Sequence, residues 1–244
     1  MFLNWGNFIA HRALLNQGDG ENSKKAIQRC IDKKLPIEID VQYHQSGQFL
    51  VFHDDNLKRM FGYQDPIRDV NLKVLPHLTD KFGNKILSLD ELLDFINGRV
   101  PILIEVKSGQ KDSYTEKMYQ MDILSNQLRN YQGPFAIQSF DPIILRLLRS
   151  SSKSFILGHL ICSWFKQDLS LVKKLFLSSY AGVVGMNLNF IAVEKDIFNQ
   201  KAFLITKKLL GLPTLCWTIF DKTELNKVAN KCDAVIFENG DVLL

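Results

Sequence analysis

Short apolar segments alternate with longer amphipathic ones from one end of the chain to the other. Residues 7–11 predict a first strand, and 23–34 a helix with Ala26, Ile27, Cys30 and Ile31 on one face. Residues 36–43 then alternate with a period of two. Ile37, Ile39 and Val41 leave one side; Glu38 and Asp40 leave the other. A turn at 45–48 returns the chain through a short strand at 49–53. Residues 54–87 are mixed and lack a clear period. Ser88 and Glu91 have capping-box spacing and open a helix through Phe95 that closes near Gly98. Residues 101–107 form a third strand, with Ile102, Ile104 and Val106 on one face and Leu103, Glu105 and Lys107 on the other. After it come a helix at 113–130, a strand at 135–139, a helix opened by Asp141-Pro142 and ending near Ser150, and a strand at 155–161. The pattern continues with a helix at 169–178, a strand at 182–187, a helix at 193–210 and a strand at 213–219. A helix opened by Asp221 and a last strand at 234–237 end it.

Eight strands alternating with about eight helices predict a (β/α)8 TIM barrel, with an insertion at roughly 54–87 after the second strand. An open doubly wound sheet is the alternative, but no G-x-G-x-x-G follows a strand, which argues against a dinucleotide fold. The barrel explains the alternation. One strand face packs on helices, and the other faces the interior and turns polar at the C-terminal mouth.

On this arrangement Glu38, Asp40 and Glu105 converge near the mouth. Two acids on one strand face suit a solvated edge; three in one small space are costly without a cation, and carboxylates suit a hard divalent ion. Lys107 shares the face of Glu105 and serves to pair an acid or to meet a substrate anion. His11 ends the first strand beside Arg12, and His53 ends the returning strand beside Asp54 and Asp55. Histidines are natural general acids and bases near neutral pH, and Arg12 offers a planar fork for phosphate oxygens. His44, His77 and His159 lack such company and read as structural, and Glu21-Asn22 reads as N-terminal capping of the first helix. Trp217, near the end of the seventh strand, is a candidate pocket wall, as are Phe61, Tyr63 and Trp164 more weakly.

Composition narrows the partners. The 244 residues are 46% hydrophobic and 23% charged, with 30 basic against 26 acidic side chains for a net charge of +4. This mild charge, without a long basic run, does not imply nucleic acid. Cys30, Cys162, Cys216 and Cys232 form no C-x-x-C pair, so reduced thiols in a cytoplasmic protein are expected. The N-terminal residues lack a basic region and a long apolar core, so no signal peptide is expected. The longest apolar stretch, around 209–220, is broken by Gly211 and Pro213, so no stable membrane insertion is expected. A small-molecule substrate and a monomeric or homodimeric state complete the expectation.

Taken in order, His11-Arg12, Glu21-Asn22, Glu38-Ile39-Asp40, Val51-Phe52-His53-Asp54 with Leu57 and Arg59, Ile104-Glu105-Val106-Lys107, Ser139-Phe140 and Trp217-Thr218 resemble the glycerophosphodiester phosphodiesterase family across nearly the whole chain. Each piece is weak alone; the ordered set is specific. The resemblance implies a single TIM-barrel domain over residues 1–244 that hydrolyses glycerophosphodiesters to glycerol 3-phosphate and an alcohol. It implies Mg²⁺ or Ca²⁺ on Glu38, Asp40 and Glu105, an acid–base pair of His11 and His53, phosphate contacts from Arg12 and Lys107, and a pocket lined by Trp217. It further implies a cyclic phosphate intermediate. A lysophospholipase D acting on lysophospholipids and a non-catalytic phosphodiester-binding barrel are the alternatives. The chain departs from the family pattern at Ala13, where a glycine is usual, at Gly20, where a proline is usual, at the 45–47 turn, and at Phe237-Glu238-Asn239 on the last strand.

Overall fold

The computed structural model describes residues 5–16, 18–109, 112–162, 185–198, 203, 207, 208 and 210–240. In chain order the strands are β1 (Phe8–Leu15), β2 (Ile37–Tyr43), β3 (Phe49–Val51), β4 (Leu87–Ser88), β5 (Ile102–Val106), β6 (Phe135–Ser139), β7 (Leu157–Ile161), β8 (Phe190–Glu194), β9 (Thr214–Ile219) and β10 (Ala234–Asn239). Strands β1, β2 and β5 to β10 are paired in parallel, and β1 pairs with both β2 and β10. That double pairing closes an eight-stranded barrel, the TIM-barrel architecture expected from the alternation.

The helices begin where the sequence offers caps. In α1 (Lys24–Asp32) the Ser23 hydroxyl accepts from the Ala26 amide. The helices α3 (Leu89–Ile96) and α4 (Tyr114–Asn130) open with full capping boxes, Ser88 with Glu91 and Ser113 with Glu116. Asp141 caps α5 (Pro142–Ser151), and Asp221 caps α6 (Lys222–Val228). The outward residues Ile37, Ile39, Val41, Ile102, Ile104 and Val106 pack against helix residues such as Ile27, Leu92 and Leu124. A second core fills the barrel: Ile9, Leu103, Ala136, Leu160, Phe190, Ala192, Leu215 and Ile236. Gly158 is needed there, because a Cβ at that position would stand 2.1 Å from the Phe190 ring. The interior is therefore packed below the mouth, and polar residues are confined to the strand ends above it.

Between β3 and β4 the chain leaves the barrel. It forms α2 (Lys58–Phe61) and two short 3-10 turns, Ile67–Asp69 and Leu75–His77. The excursion has its own apolar cluster of Leu50, Phe52, Leu57, Ile67, Val70 and Leu75. Buried His44 ties it down, with Nε2 2.7 Å from the Val70 carbonyl.

One strand lies elsewhere than expected. The sixth barrel strand is Phe190–Glu194, not 182–187, and it occupies the start of the expected helix 193–210. Residues 185–187 form a turn with positive φ at Gly185 and Asn187. A barrel strand buried on both faces is a continuous apolar run, which a short window cannot distinguish from a helix start. Residues 195–197 form a 3-10 turn, and 203, 207, 208 and 210 are helical. The expected helix 169–178 and residues 182–184 lie outside the described residues. No helix among the described residues is long and apolar enough to cross a membrane.

Candidate active site

Strands β2 and β5 pair with Asp40 opposite Glu105, so their inward side chains meet at one level. Glu38, Asp40 and Glu105 each offer a carboxylate oxygen, and these oxygens lie within 4.8 Å of one another. All three residues are buried. Burial and the charge of Asp40 push the Glu38 carboxyl up to about 8. Burial also raises Glu105, against the pull of Lys107. Asp40 goes the other way. Burial would raise it, but the Lys107 and Arg12 cations outweigh that and hold it below the usual carboxylate range.

The cations are close. Lys107 Nζ lies 3.0 Å from Asp40 Oδ1 and 2.6 Å from Glu105 Oε1, and Arg12 Nε lies 3.4 Å from Asp40 Oδ2. Even so, both Asp40 oxygens and Glu105 Oε1 are buried without an aligned hydrogen bond. Three converging buried carboxylates form an all-oxygen donor set, and its chemistry fits a hard divalent cation such as Mg²⁺ or Ca²⁺.

Arg12 reaches this cluster through a distortion of β1. Along a regular strand His11 and Arg12 would face opposite sides. The pairing of β1 with β10 shifts register between Ala10 and Leu15, and Arg12 and Ala13 adopt φ of 51° and 69°. The bulge turns both side chains to the mouth. The family glycine replaced by Ala13 would sit in this left-handed position, where it carries no Cβ penalty.

Both histidines are held through the same ring atom. His11 Nδ1 lies 3.0 Å from Glu238 Oε2, and His53 Nδ1 lies 2.7 Å from Asp54 Oδ1. Burial would lower the His11 pKa, but the hydrogen bond to Glu238 and the charges of Glu38 and Asp40 more than reverse that. For His53, burial with Lys107 and Arg12 nearby wins, and its pKa falls below 6.5 despite Asp40 and Asp54.

A chain of alternating charges links the two histidine loops. Arg12 pairs with Glu21 at 2.8 Å, and Arg59 of α2 reaches Glu21 at 2.5 Å and Asp54 at 2.6 Å. Asp54 in turn holds His53. Ser23 is the cap of α1, so Glu21 bridges two arginines and does not cap the helix as expected. Its spacing from the helix start was compatible with either role.

Trp217 points inward from β9, stacked edge-on to Phe140 at 5.6 Å, with its indole Nε1 buried and unpartnered among the described residues. Phe61 lines a small cavity beside His53, whereas Tyr63 is exposed and Trp164 lies outside the described residues. His44 and His159 are buried and hydrogen-bonded to main-chain carbonyls, and His77 ends a 3-10 turn, so all three have structural surroundings. Gln138 was not singled out from the sequence. It is buried beside Glu105 in the β5–β6 register, and its Oε1 has no partner among the described residues. A neutral amide on a strand gives no sequence signal of this kind.

Comparison with solved structures gives the same fold. A phosphodiesterase of Oleispira antarctica, solved in complex with the product sn-glycerol-3-phosphate, is 19% identical with a TM-score of 0.76, over 98% of this chain and 94% of that one. A glycerophosphodiester phosphodiesterase of Thermotoga maritima is 22% identical with a TM-score of 0.73, over 97% and 96% of the two chains. Another, from Parabacteroides distasonis, is 16% identical with a TM-score of 0.77, over 95% and 92%. No curated protein matches at the sequence level. A sequence model of the glycerophosphoryl diester phosphodiesterase family matches residues 11–241, a span that runs from the first histidine through the last barrel strand. On that match the chain belongs to the glycerophosphoryl diester phosphodiesterase family of enzymes.

Proposed function

We infer that this protein hydrolyses glycerophosphodiesters to glycerol 3-phosphate and an alcohol, in a single catalytic domain over residues 1–244 whose insertion at about 54–87 borders the mouth. The observation that carries the reading is the buried Glu38–Asp40–Glu105 cluster, placed between two histidines that each have Nδ1 on a carboxylate. Glu38, Asp40 and Glu105 would hold Mg²⁺ or Ca²⁺. The ion, when bound, supplies Lewis-acid polarisation of a phosphate oxygen.

The chain's own groups move the protons. In its neutral form His11 accepts the proton of the glycerol 2-hydroxyl, whose oxygen attacks phosphorus in line; its raised pKa makes it the stronger base while reducing the neutral fraction near neutral pH. His53 donates a proton to the departing alcohol. The resulting cyclic 1,2-phosphate is opened by water with the two roles exchanged. Arg12 and Lys107 face the phosphate oxygens, and Trp217 walls the glycerol side of the pocket. Replacing His11 or His53 by alanine is expected to lower kcat by about 100-fold or more. Wild-type rates in both variants would contradict the mechanism.

Release of glycerol 3-phosphate from a panel of glycerophosphodiesters tests the activity. Running glycerophosphocholine beside lysophosphatidylcholine separates this reading from a lysophospholipase D. Diester binding with no turnover in Mg²⁺, Ca²⁺ or Mn²⁺ would instead favour a binding barrel. The cytoplasmic setting rests on the sequence, in which the four cysteines form no C-x-x-C pair. Cell fractionation tests this, and recovery outside the cytoplasm would refute it. The assembly is read as a monomer or homodimer, and a larger mass by light scattering would exclude both.

A further inference from the structure

Glu238 enters the mouth from the opposite edge of the barrel seam. It lies on β10, and His11 lies on β1, 227 residues away in sequence. Register explains the meeting. Ile9 and Ile236 both point into the inner core, so two residues further on both His11 and Glu238 point to the mouth. The closing of the sheet therefore brings this carboxylate to His11 Nδ1 at 3.0 Å. His11 is largely buried, while Glu238 is half-exposed at the rim. Its pKa is lowered, chiefly by the hydrogen bond to His11.

A neutral imidazole carries one proton on one of its two nitrogens, and the hydrogen bond made by one nitrogen fixes the state of the other. An ionised carboxylate only accepts, so Nδ1 must donate to it. Nε2 is then the lone-pair nitrogen, and among the described residues no protein group bonds to it. The second histidine has the same arrangement from a different source. Asp54 is its immediate sequence neighbour and meets His53 Nδ1 at 2.7 Å.

Resting on the diesterase reading above, we propose that Glu238 is the positioning residue of His11: it holds the ring in one orientation and one tautomer, with Nδ1–H donated to its carboxylate and Nε2 presented to the substrate hydroxyl. When Nε2 takes the substrate proton, the imidazolium so formed is balanced by the same carboxylate, and Glu238 itself gains no proton. The carboxylate never touches substrate.

The test uses the full chain with Mg²⁺. Glu238→Ala is expected to lower kcat about 10- to 100-fold with KM within about threefold, the scale of losing a carboxylate that orients a histidine. Long-range proton–nitrogen NMR of the His11 ring, identified by its loss in His11→Gln, is expected to show Nδ1–H in the neutral wild-type ring. Loss of that state is expected in Glu238→Ala. A general packing defect would change stability and KM without reversing the tautomer. A wild-type ring protonated on Nε2, or a Glu238→Ala kcat within about twofold of wild type, would overturn the proposal. Should Glu238→Ala fail to fold, the near-isosteric Glu238→Gln keeps an acceptor for Nδ1–H and removes only the charge; it is expected to retain the tautomer and to lower kcat about 10-fold, and a kcat within about twofold of wild type would overturn the proposal. If the wild-type protein cleaves no diester, the reading of the reaction has failed, and the tautomer readout alone decides the role of Glu238.

Discussion

Ala13 is held at φ 69° with its methyl fully buried, next to Arg12 at φ 51°. Each non-glycine residue in this region costs about 1–3 kcal/mol, which the bulge returns as function by aiming Arg12 at Asp40. A β-branched residue there is a steric outlier, so Ala13→Val is expected to destabilise the fold by more than about 2 kcal/mol in denaturant titration. A change within experimental error would mean that the backbone relaxes to negative φ. Glu38 supplies a second test at this scale. Its carboxyl is raised from 4.5 to about 8 in the cation-free protein, first by burial and then by Asp40. A raised carboxyl favours folding fully below its ordinary pKa, and that contribution is lost as pH climbs from 4.5 towards 8. A cation on the cluster needs the ionised form. The rise in Tm on adding Mg²⁺ should therefore be larger near pH ~8 than near pH ~6. Equal rises at the two pH values would contradict a cation on Glu38. The acids were legible because a period-two alternation sets their face from the sequence alone. Glu238 was visible only as a departure on the last strand, because its contact with His11 spans the barrel seam and no local pattern encodes it.

At the scale of elements, the excursion between β3 and β4 is joined to the mouth through α2. Arg59 grips Glu21 and Asp54 with its guanidinium, and those acids hold Arg12 and His53. The arginine is half-exposed, so its ion pairs add little to stability, on the order of 1 kcal/mol or less. Its effect should fall on geometry. Arg59→Ala is expected to lower kcat by about tenfold with little change in Tm. Arg59→Lys should not restore it, because a point charge cannot span two carboxylates. Wild-type kcat in Arg59→Ala would show that the insertion does not orient Arg12 and His53. Capped helices were the most readable elements: Ser88–Glu91 forms the box that its spacing implies, and Asp221 caps α6 as expected. The least readable was β8. Its run Phe190-Ile191-Ala192-Val193 is buried on both faces and carries no alternation, so only its pairing with β7 and β9 defines it.

The whole molecule divides into a packed lower barrel and a charged mouth. Inner residues from Ile9 to Ile236 exclude water below, so the Glu38–Asp40–Glu105 cluster stands on an apolar floor where uncompensated charge is costly. The barrel followed from the alternation of elements, and the family from the ordered motifs. Asp54 stood beside His53 in the sequence, whereas the carboxylate partner of His11 needed the closed sheet. The central claim is that this mouth is a cation-dependent diesterase. The most direct measurement is enzymatic detection of glycerol 3-phosphate released from glycerophosphocholine and related diesters, first with Mg²⁺, then with EDTA, then with Mg²⁺ or Ca²⁺ restored. Release with Mg²⁺, loss with EDTA and recovery on add-back are expected, with no release in Glu38→Gln and Glu105→Gln variants that remain folded. Release that persists in EDTA or in both variants, or no release from any diester with any of these ions, would contradict the central claim.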